Sequence, residues 1–153
     1  MNTKSILLDN IPAGAYYIGD PCYAFTGDHD QWARLLDQTD YFEKPMVEFR
    51  GFPVGAFSTA YGDGTYVGID ENGKAFQFPV DAGLIGFVAA ELLKPEFLQE
   101  LKDGIEDAGT LVFFSEPWSA ESWDDGNIRI GSITIDTDFE EEYDEYEDSE
   151  DYE

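Results

Sequence analysis

The sequence predicts an α+β fold: a curved antiparallel sheet or partial β-barrel with two packed helices, followed by a disordered acidic C-terminal tail. Three observations carry this expectation. Short runs rich in aromatic and β-branched residues lie between closely spaced turn signals, the pattern of hairpins and meanders. Two segments place helix-starting chemistry ahead of a one-sided apolar stripe. Twelve of the 34 acidic residues fall between Asp136 and Glu153, where the core-forming residues give out.

The strands come first. Turn chemistry at Pro12-Ala13-Gly14, Gly19-Asp20-Pro21, Gly62-Asp63-Gly64, Glu71-Asn72-Gly73 and Asp124-Asp125-Gly126-Asn127 separates runs at Ala15 to Ile18, Met46 to Phe49, Thr65 to Ile69, Ala75 to Val80, Thr110 to Ser115 and Asn127 to Asp136. Asn72-Gly73 is the strongest hairpin signal, because both residues adopt positive φ cheaply. Residues Ile128 to Ile135 alternate for part of their length and shift phase at Gly131-Ser132, which predicts a β-bulge. Val80 to Val88 reads as strand, turn and strand. Trp118 and Trp123 flank a predicted polar loop, either as an exposed binding patch or as half-buried residues at a strand end.

Two helices follow from capping chemistry. Asp28 and Gln31 form a capping box, after which Trp32, Leu35 and Leu36 share one face. Pro95 opens the second helix at a position that needs no amide donor. Phe97, Leu98, Leu101 and Ile105 make its buried stripe, and Gly109 ends it.

Residues 1–136 fit a single domain, and residues 137–153 form a separate low-complexity segment. Like charges at that density repel one another, and four aromatics do not offset the entropy of ordering them. The formal net charge is -26. Removing the twelve acids of 136–153 from 34 leaves 22 against 8 Lys and Arg, or -14, so the body is acidic in its own right. Such a charge argues against direct binding of nucleic acid or an anionic membrane, and attracts basic protein surfaces, nucleic-acid-binding proteins among them. Near the start only Ile6, Leu7 and Leu8 are consecutively apolar, against roughly 7–15 residues for a signal peptide and about 20 for a membrane span. Cys22 is the one cysteine. A soluble cytoplasmic protein without a cofactor is expected, its oligomeric state open.

The chemistry-bearing residues admit two readings each. Asp20 in Gly19-Asp20-Pro21-Cys22-Tyr23 and Asp63 in Tyr61-Gly62-Asp63-Gly64-Thr65-Tyr66 sit in glycine-punctuated turns beside aromatics, and Asp81 follows Val80 into the next turn. Converging, Asp20, Asp63 and Asp81 with Tyr23 and Tyr66 would form a small-ligand or divalent-metal site, with acid–base capacity. Apart, each Asp bonds its own turn backbone. A calcium loop over Gly68 to Pro79 fails, since its first and twelfth positions are Gly68 and Pro79. Cys22 and His29 have the chemistry of a nucleophile pair, but their spacing sets no geometry. One Cys and one His leave zinc short of ligands, and no glycine-rich phosphate loop is present. In the acidic segment, Glu140, Glu141, Glu142, Tyr143, Asp144, Glu145 and Tyr146 are the candidate partner-binding residues. Their charge density approaches that of duplex DNA, about one charge per 1.7 Å, and Phe139, Tyr143, Tyr146 and Tyr152 would stand in for stacked bases. The plainer alternative is a solubilising tail.

Three motifs together, Gly19-Asp20-Pro21-Cys22-Tyr23 with its Ile11-Pro12-Ala13-Gly14 approach, Tyr61-Gly62-Asp63-Gly64-Thr65-Tyr66, and Val80-Asp81-x-Gly83-Leu84-Ile85-Gly86, resemble a group of small bacterial and phage proteins without an assigned activity. The resemblance spans residues 11 to 86. It implies that Asp20, Asp63 and Asp81 lie at motif centres and that a phage origin is to be expected.

The leading functional expectation is a non-enzymatic acidic interaction protein, binding a basic nucleic-acid-processing or defence protein of the host by charge mimicry. A small-ligand or divalent-metal module with hydrolytic capacity at the loop aspartates is the first alternative. A virion or structural component is the second.

Overall fold

The computed structural model describes residues 5–25, 27–104 and 109–137. Among the described residues eleven strands form two antiparallel sheets. The larger holds β1 (Ser5–Ile11), β9 (Trp118–Trp123), β10 (Asn127–Ile130), β11 (Ile133–Asp136), β5 (Gly64–Ile69) and β6 (Ala75–Val80), in that spatial order. The smaller is ordered β3 (Met46–Phe49), β4 (Phe52–Ser58), β7 (Leu84–Ala89), β2 (Gly14–Gly19), β8 (Thr110–Phe114). The α+β expectation holds. A single curved sheet or partial barrel does not, because the strands divide into two sheets and neither closes. No helix among the described residues is long and apolar enough to cross a membrane.

All helices lie on connections within the smaller sheet. Between β2 and β3 come α1 (Pro21–Ala24) and α2 (His29–Thr39); between β7 and β8 come a 3₁₀ turn (Ala90–Leu92) and α3 (Pro95–Lys102). The aromatic contacts show what each face of β2 meets. Tyr16 packs edge-on against Phe87 of β7 and Trp118 of β9, toward the larger sheet. Its neighbour Tyr17 meets Phe97 of α3 on the opposite face, as the period-two alternation of a strand requires. Central β7 is accordingly buried at every position. Its Gly86 lies so close to β4 that a Cβ would drive into the Gly55 carbonyl oxygen and Ala56.

The helix signals translate directly at their starts. Asp28 Oδ1 accepts from the Gln31 amide at 3.3 Å and caps α2, whose Leu35 is buried with Trp32 and Leu36 packed beside it. Pro95 occupies the first turn of α3, with Phe97, Leu98 and Leu101 facing the core. The predicted stop at Gly109 is corrected: α3 ends at Lys102, with Asp103 at the cap and Gly104 at φ 71°. Gly104 fits the left-handed position after a helix, and its amide reaches back to Leu101. Ile105 lies outside the described residues.

The hairpin signals need two corrections of turn type. β5 and β6 pair as expected, but the five residues 70–74 connect them rather than a two-residue turn. The Asp70 amide donates to Lys74 and the Gly73 amide to Asp70, with positive φ at Gly73 alone. Asp70 Oδ1 accepts from the amides of Asn72 and Lys74, each at 2.9 Å, which favours this turn over a two-residue one. Gly131-Ser132 is a two-residue turn joining β10 to β11, not a bulge. Ile130 pairs with Ile133, so the phase shift is a chain reversal that keeps Ile128, Ile130, Ile133 and Ile135 all buried. The predicted polar loop after Trp118 is strand β9, paired with β1 and β10.

Candidate functional site

Four connections carry the chain from one sheet to the other: residues 12–13, 59–63, 81–83 and 115–117. The three motif aspartates gather at two of these corners. Asp20 follows β2 and caps α1, where Pro21 supplies the first turn. Its residue is fully buried. Oδ1 accepts from the Cys22 amide at 3.0 Å, and Oδ2 accepts from the amides of Asp81 and Ala82 at 2.9 and 2.8 Å. One carboxylate thus ties the start of a helix to the β6–β7 corner, 61 residues downstream. Asp81 itself is exposed, and Tyr23 hydrogen-bonds its carboxylate. Asp63 is exposed in the neighbouring corner, with Oδ1 3.8 Å from the position a Gly83 Cβ would take. Thr59 joins the two corners, its amide donating to the Gly83 carbonyl at 2.9 Å and its hydroxyl to Gly62 at 2.6 Å.

Burial and charge set the protonation chemistry here. Burial pushes the Asp20 carboxyl above the usual carboxylate range, opposed by the Ala82, Cys22 and Asp81 amides and the Cys22 thiol. Burial, followed by the Asp20 charge, pushes the Cys22 thiol well up, so the sulfur is held as a donor to the carboxylate. That is the opposite of a nucleophile. His29 is exposed at the first residue of α2. Burial and the bond to Asp81 likewise raise the Tyr23 phenol. Tyr66 is buried and donates to the Gly62 carbonyl at 2.6 Å; Tyr16 makes the same four-residue back-bond to Pro12 at 2.7 Å. Each hydroxyl pins a sheet-to-sheet corner to the strand that follows it, a device of β-sandwiches.

The arrangement is therefore chiefly a structural joint. Both Asp20 oxygens accept backbone amides, and Tyr66 secures its own loop. Among the described residues, no group of three or more His, Cys, Asp or Glu side chains is placed to hold a metal ion. Of the five loop residues Asp63 and Asp81 are exposed, Tyr23 is half-buried, and Asp20 and Tyr66 are buried.

A second feature of this end of the molecule had no separate signal in the sequence. Thr137 is buried and fastens two turns at once. Its hydroxyl donates to the Gly126 carbonyl at 2.7 Å and accepts from the Ala60 amide at 3.0 Å; its carbonyl accepts from Tyr61 at 2.8 Å. The β9–β10 turn with exposed Asp124 and Asp125, the corner with Asp63, and exposed Asp136 therefore surround the point from which residues 138–153 continue. Through Thr59 the Asp81 corner joins the same group. Glu140, Glu141, Glu142, Tyr143, Asp144, Glu145 and Tyr146 lie outside the described residues, as does the expectation of tail disorder.

Another missed feature sits on β8. Phe113 is 72% exposed beside a stacked Phe114–Trp118 pair, with ring centroids 4.0 Å apart. Adjacent aromatics in a strand point to opposite faces, so Phe113-Phe114 was the available signal. Trp118 is buried and Trp123 half-buried, each at an end of β9. Comparison with protein-family models, with curated proteins and with solved structures gives no match.

Proposed function

We propose that this is a non-enzymatic acidic interaction protein that binds a basic surface, that of a nucleic-acid-processing or defence protein, by charge mimicry. The supporting observation is the set of bonds at Thr137. They gather the turns carrying Asp63, Asp124 and Asp125, together with Asp136, at the root of the acidic segment. The exposed acids of these turns thus lie close to Thr137, after which the sequence turns strongly acidic. Elsewhere the described acids are exposed, except buried Asp20 and half-buried Asp28, Asp70 and Glu121. Arg129 and Glu121 form an ion pair at 3.7 Å. Clustered like charge of this kind steers oppositely charged partners and raises association rates.

The test is an affinity capture from host lysate at low and high salt, using the full chain and a truncation ending at Thr137, with duplex DNA as competitor. The reading requires a basic, nucleic-acid-binding protein retained at low salt, weakened by the truncation and displaced by DNA. Captured proteins indifferent to salt and to DNA would overturn it.

A further inference from the structure

The proposed function supplies attraction but no anchor. Long-range charge sets on-rates and partner choice, whereas affinity concentrates in a few apolar and aromatic contacts. The structure holds a surface of that second kind on β8. Among the described residues β8 pairs with β2 alone, which leaves its other edge unpaired at the margin of the smaller sheet. Every residue of Thr110–Phe114 is at least partly exposed. Beside it opens a concavity of about 420 Å³ lined by Val112, Phe113, Phe114, Trp118 and Arg129, with Glu71 at its margin. The Phe114 ring is wedged against Gly131, where a Cβ would come within 2.6 Å, so the aromatic wall is fixed in place.

Charge decides what fits this edge. Arg129, the concavity's cation, already donates to the carbonyls of Ser119 and Gly131 and to Ser119 Oγ, and pairs with Glu121. Its charge is partly offset by the Glu121 carboxylate at 3.7 Å. Glu71 and exposed Glu116 lie toward the Phe114 end. An apolar edge with acidic groups toward its Phe114 end, on a chain of net charge -26, complements an extended segment that combines apolar and basic residues. A second copy of this chain, at -26, is the wrong charge for that place.

We propose that the open edge of β8 is a docking strand for an extended basic segment of the partner. The segment adds to the smaller sheet by backbone pairing and seats the apolar side chains of one face against Phe113, its other face lying toward Phe114 and Trp118. This is strand addition, in which the backbone supplies affinity and alternate side chains supply selectivity. It rests on the charge reading above and gives that reading its short-range half.

The experiment titrates the full-length protein with peptides of about ten residues: alternating Lys and Val, oligolysine of the same charge, alternating Thr and Val, and the Lys/Val peptide N-methylated on alternate amides. The Lys/Val peptide should bind at least about tenfold more tightly than oligolysine. N-methylation and Phe113→Ser should each reduce it to the oligolysine level, while Leu7→Ser on the exposed part of β1 leaves it unchanged. Phe113 is surface-exposed, and circular dichroism is used to check that the variant keeps its fold. Equal binding of Lys/Val and oligolysine sinks the docking strand and leaves the charge reading standing. Equal binding of Lys/Val and Thr/Val does the reverse. Absence of all binding overturns both, and a dimer by sedimentation that Phe113→Ser dissolves would reassign the edge to self-association.

Discussion

Replacing Asp20 by Asn tests the joint at which the two sheets meet. The carboxylate serves three backbone amides from two oxygens, one toward Cys22 and the other toward Asp81 and Ala82. Asn has one acceptor oxygen. Turned toward Asp81 and Ala82, it keeps two bonds in weaker, uncharged form and sets its NH₂ group against the Cys22 amide. Turned the other way, it strands two donors. A buried donor left without a partner costs about 1–3 kcal/mol, and bonds to charged groups are worth about 1.5–3 kcal/mol against about 1 for neutral ones. Opposing this, the substitution removes a charge whose burial is unfavourable, as the raised Asp20 carboxyl shows. The lost bonds should prevail, with Asp20→Asn destabilising by about 2–3 kcal/mol and Asp20→Ala by more. Urea denaturation followed by tryptophan fluorescence measures both. A stability for Asp20→Asn within about 0.5 kcal/mol of the native value, or above it, would show that desolvation outweighs the amide bonds.

The same variant gives the pH dependence its sign. With its carboxyl raised in the folded state, Asp20 keeps its proton to higher pH when folded than when unfolded. Its contribution is therefore greatest below the unfolded pKa, about 3.9, and declines as pH rises from there through the folded value. The stability gap between native protein and Asp20→Asn should narrow over that interval. A gap that widens with pH refutes the direction of the shift.

Three further outcomes follow from packing and protonation. Gly86→Ala should cost about 3 kcal/mol or more and depress soluble expression, because the added Cβ meets backbone of β4 that has no rotamer to yield; Gly73→Ala, with open space but φ of 82°, should cost only about 1 kcal/mol in the same urea assay. Tyr66→Phe removes the bond to Gly62 while keeping the ring, and should lose about 1–2 kcal/mol by thermal or urea melting. Cys22 should react with iodoacetamide at pH 8 at least about tenfold more slowly in the folded protein than in urea, since burial and Asp20 hold it as the thiol; equal rates would contradict that environment.

How much of this was legible in the sequence depends on the range of the interaction. Asp28 and Pro95 mark helix starts with groups that act within one turn, and both helices begin where those groups place them. β1, β4 and β9 lacked such markers. β9 carries Ser119, Glu121 and Ser122 between its tryptophans, and pairing on both sides, with β1 and β10, makes it a strand against its composition. The site shows the same limit. Asp20 at a turn centre signals a local backbone bond, and one exists to Cys22; its other oxygen reaches Asp81 and Ala82, a partnership no local pattern encodes. Thr137 is a sharper case. An isolated threonine before an acidic run carries no pattern, yet it fixes where that run leaves the body.

Salt separates the two consequences of the charge. At -26 the chain repels itself. Screening shortens the reach of that repulsion from about 30 Å at 0.01 M to about 8 Å at 0.15 M, so the melting temperature should rise with sodium chloride over this range. Attachment to a basic partner depends on the same field with opposite sign, so its affinity should fall over the same range. The two responses, measured by thermal melting and by titration with the Lys/Val peptide, must therefore diverge. If binding weakened while the melting temperature stayed level, the surface acids would be locally compensated and the partner would be reading only the acidic segment. If the melting temperature rose while binding held, attraction would not be electrostatic, and charge mimicry would have to be abandoned whatever protein the chain was found to hold.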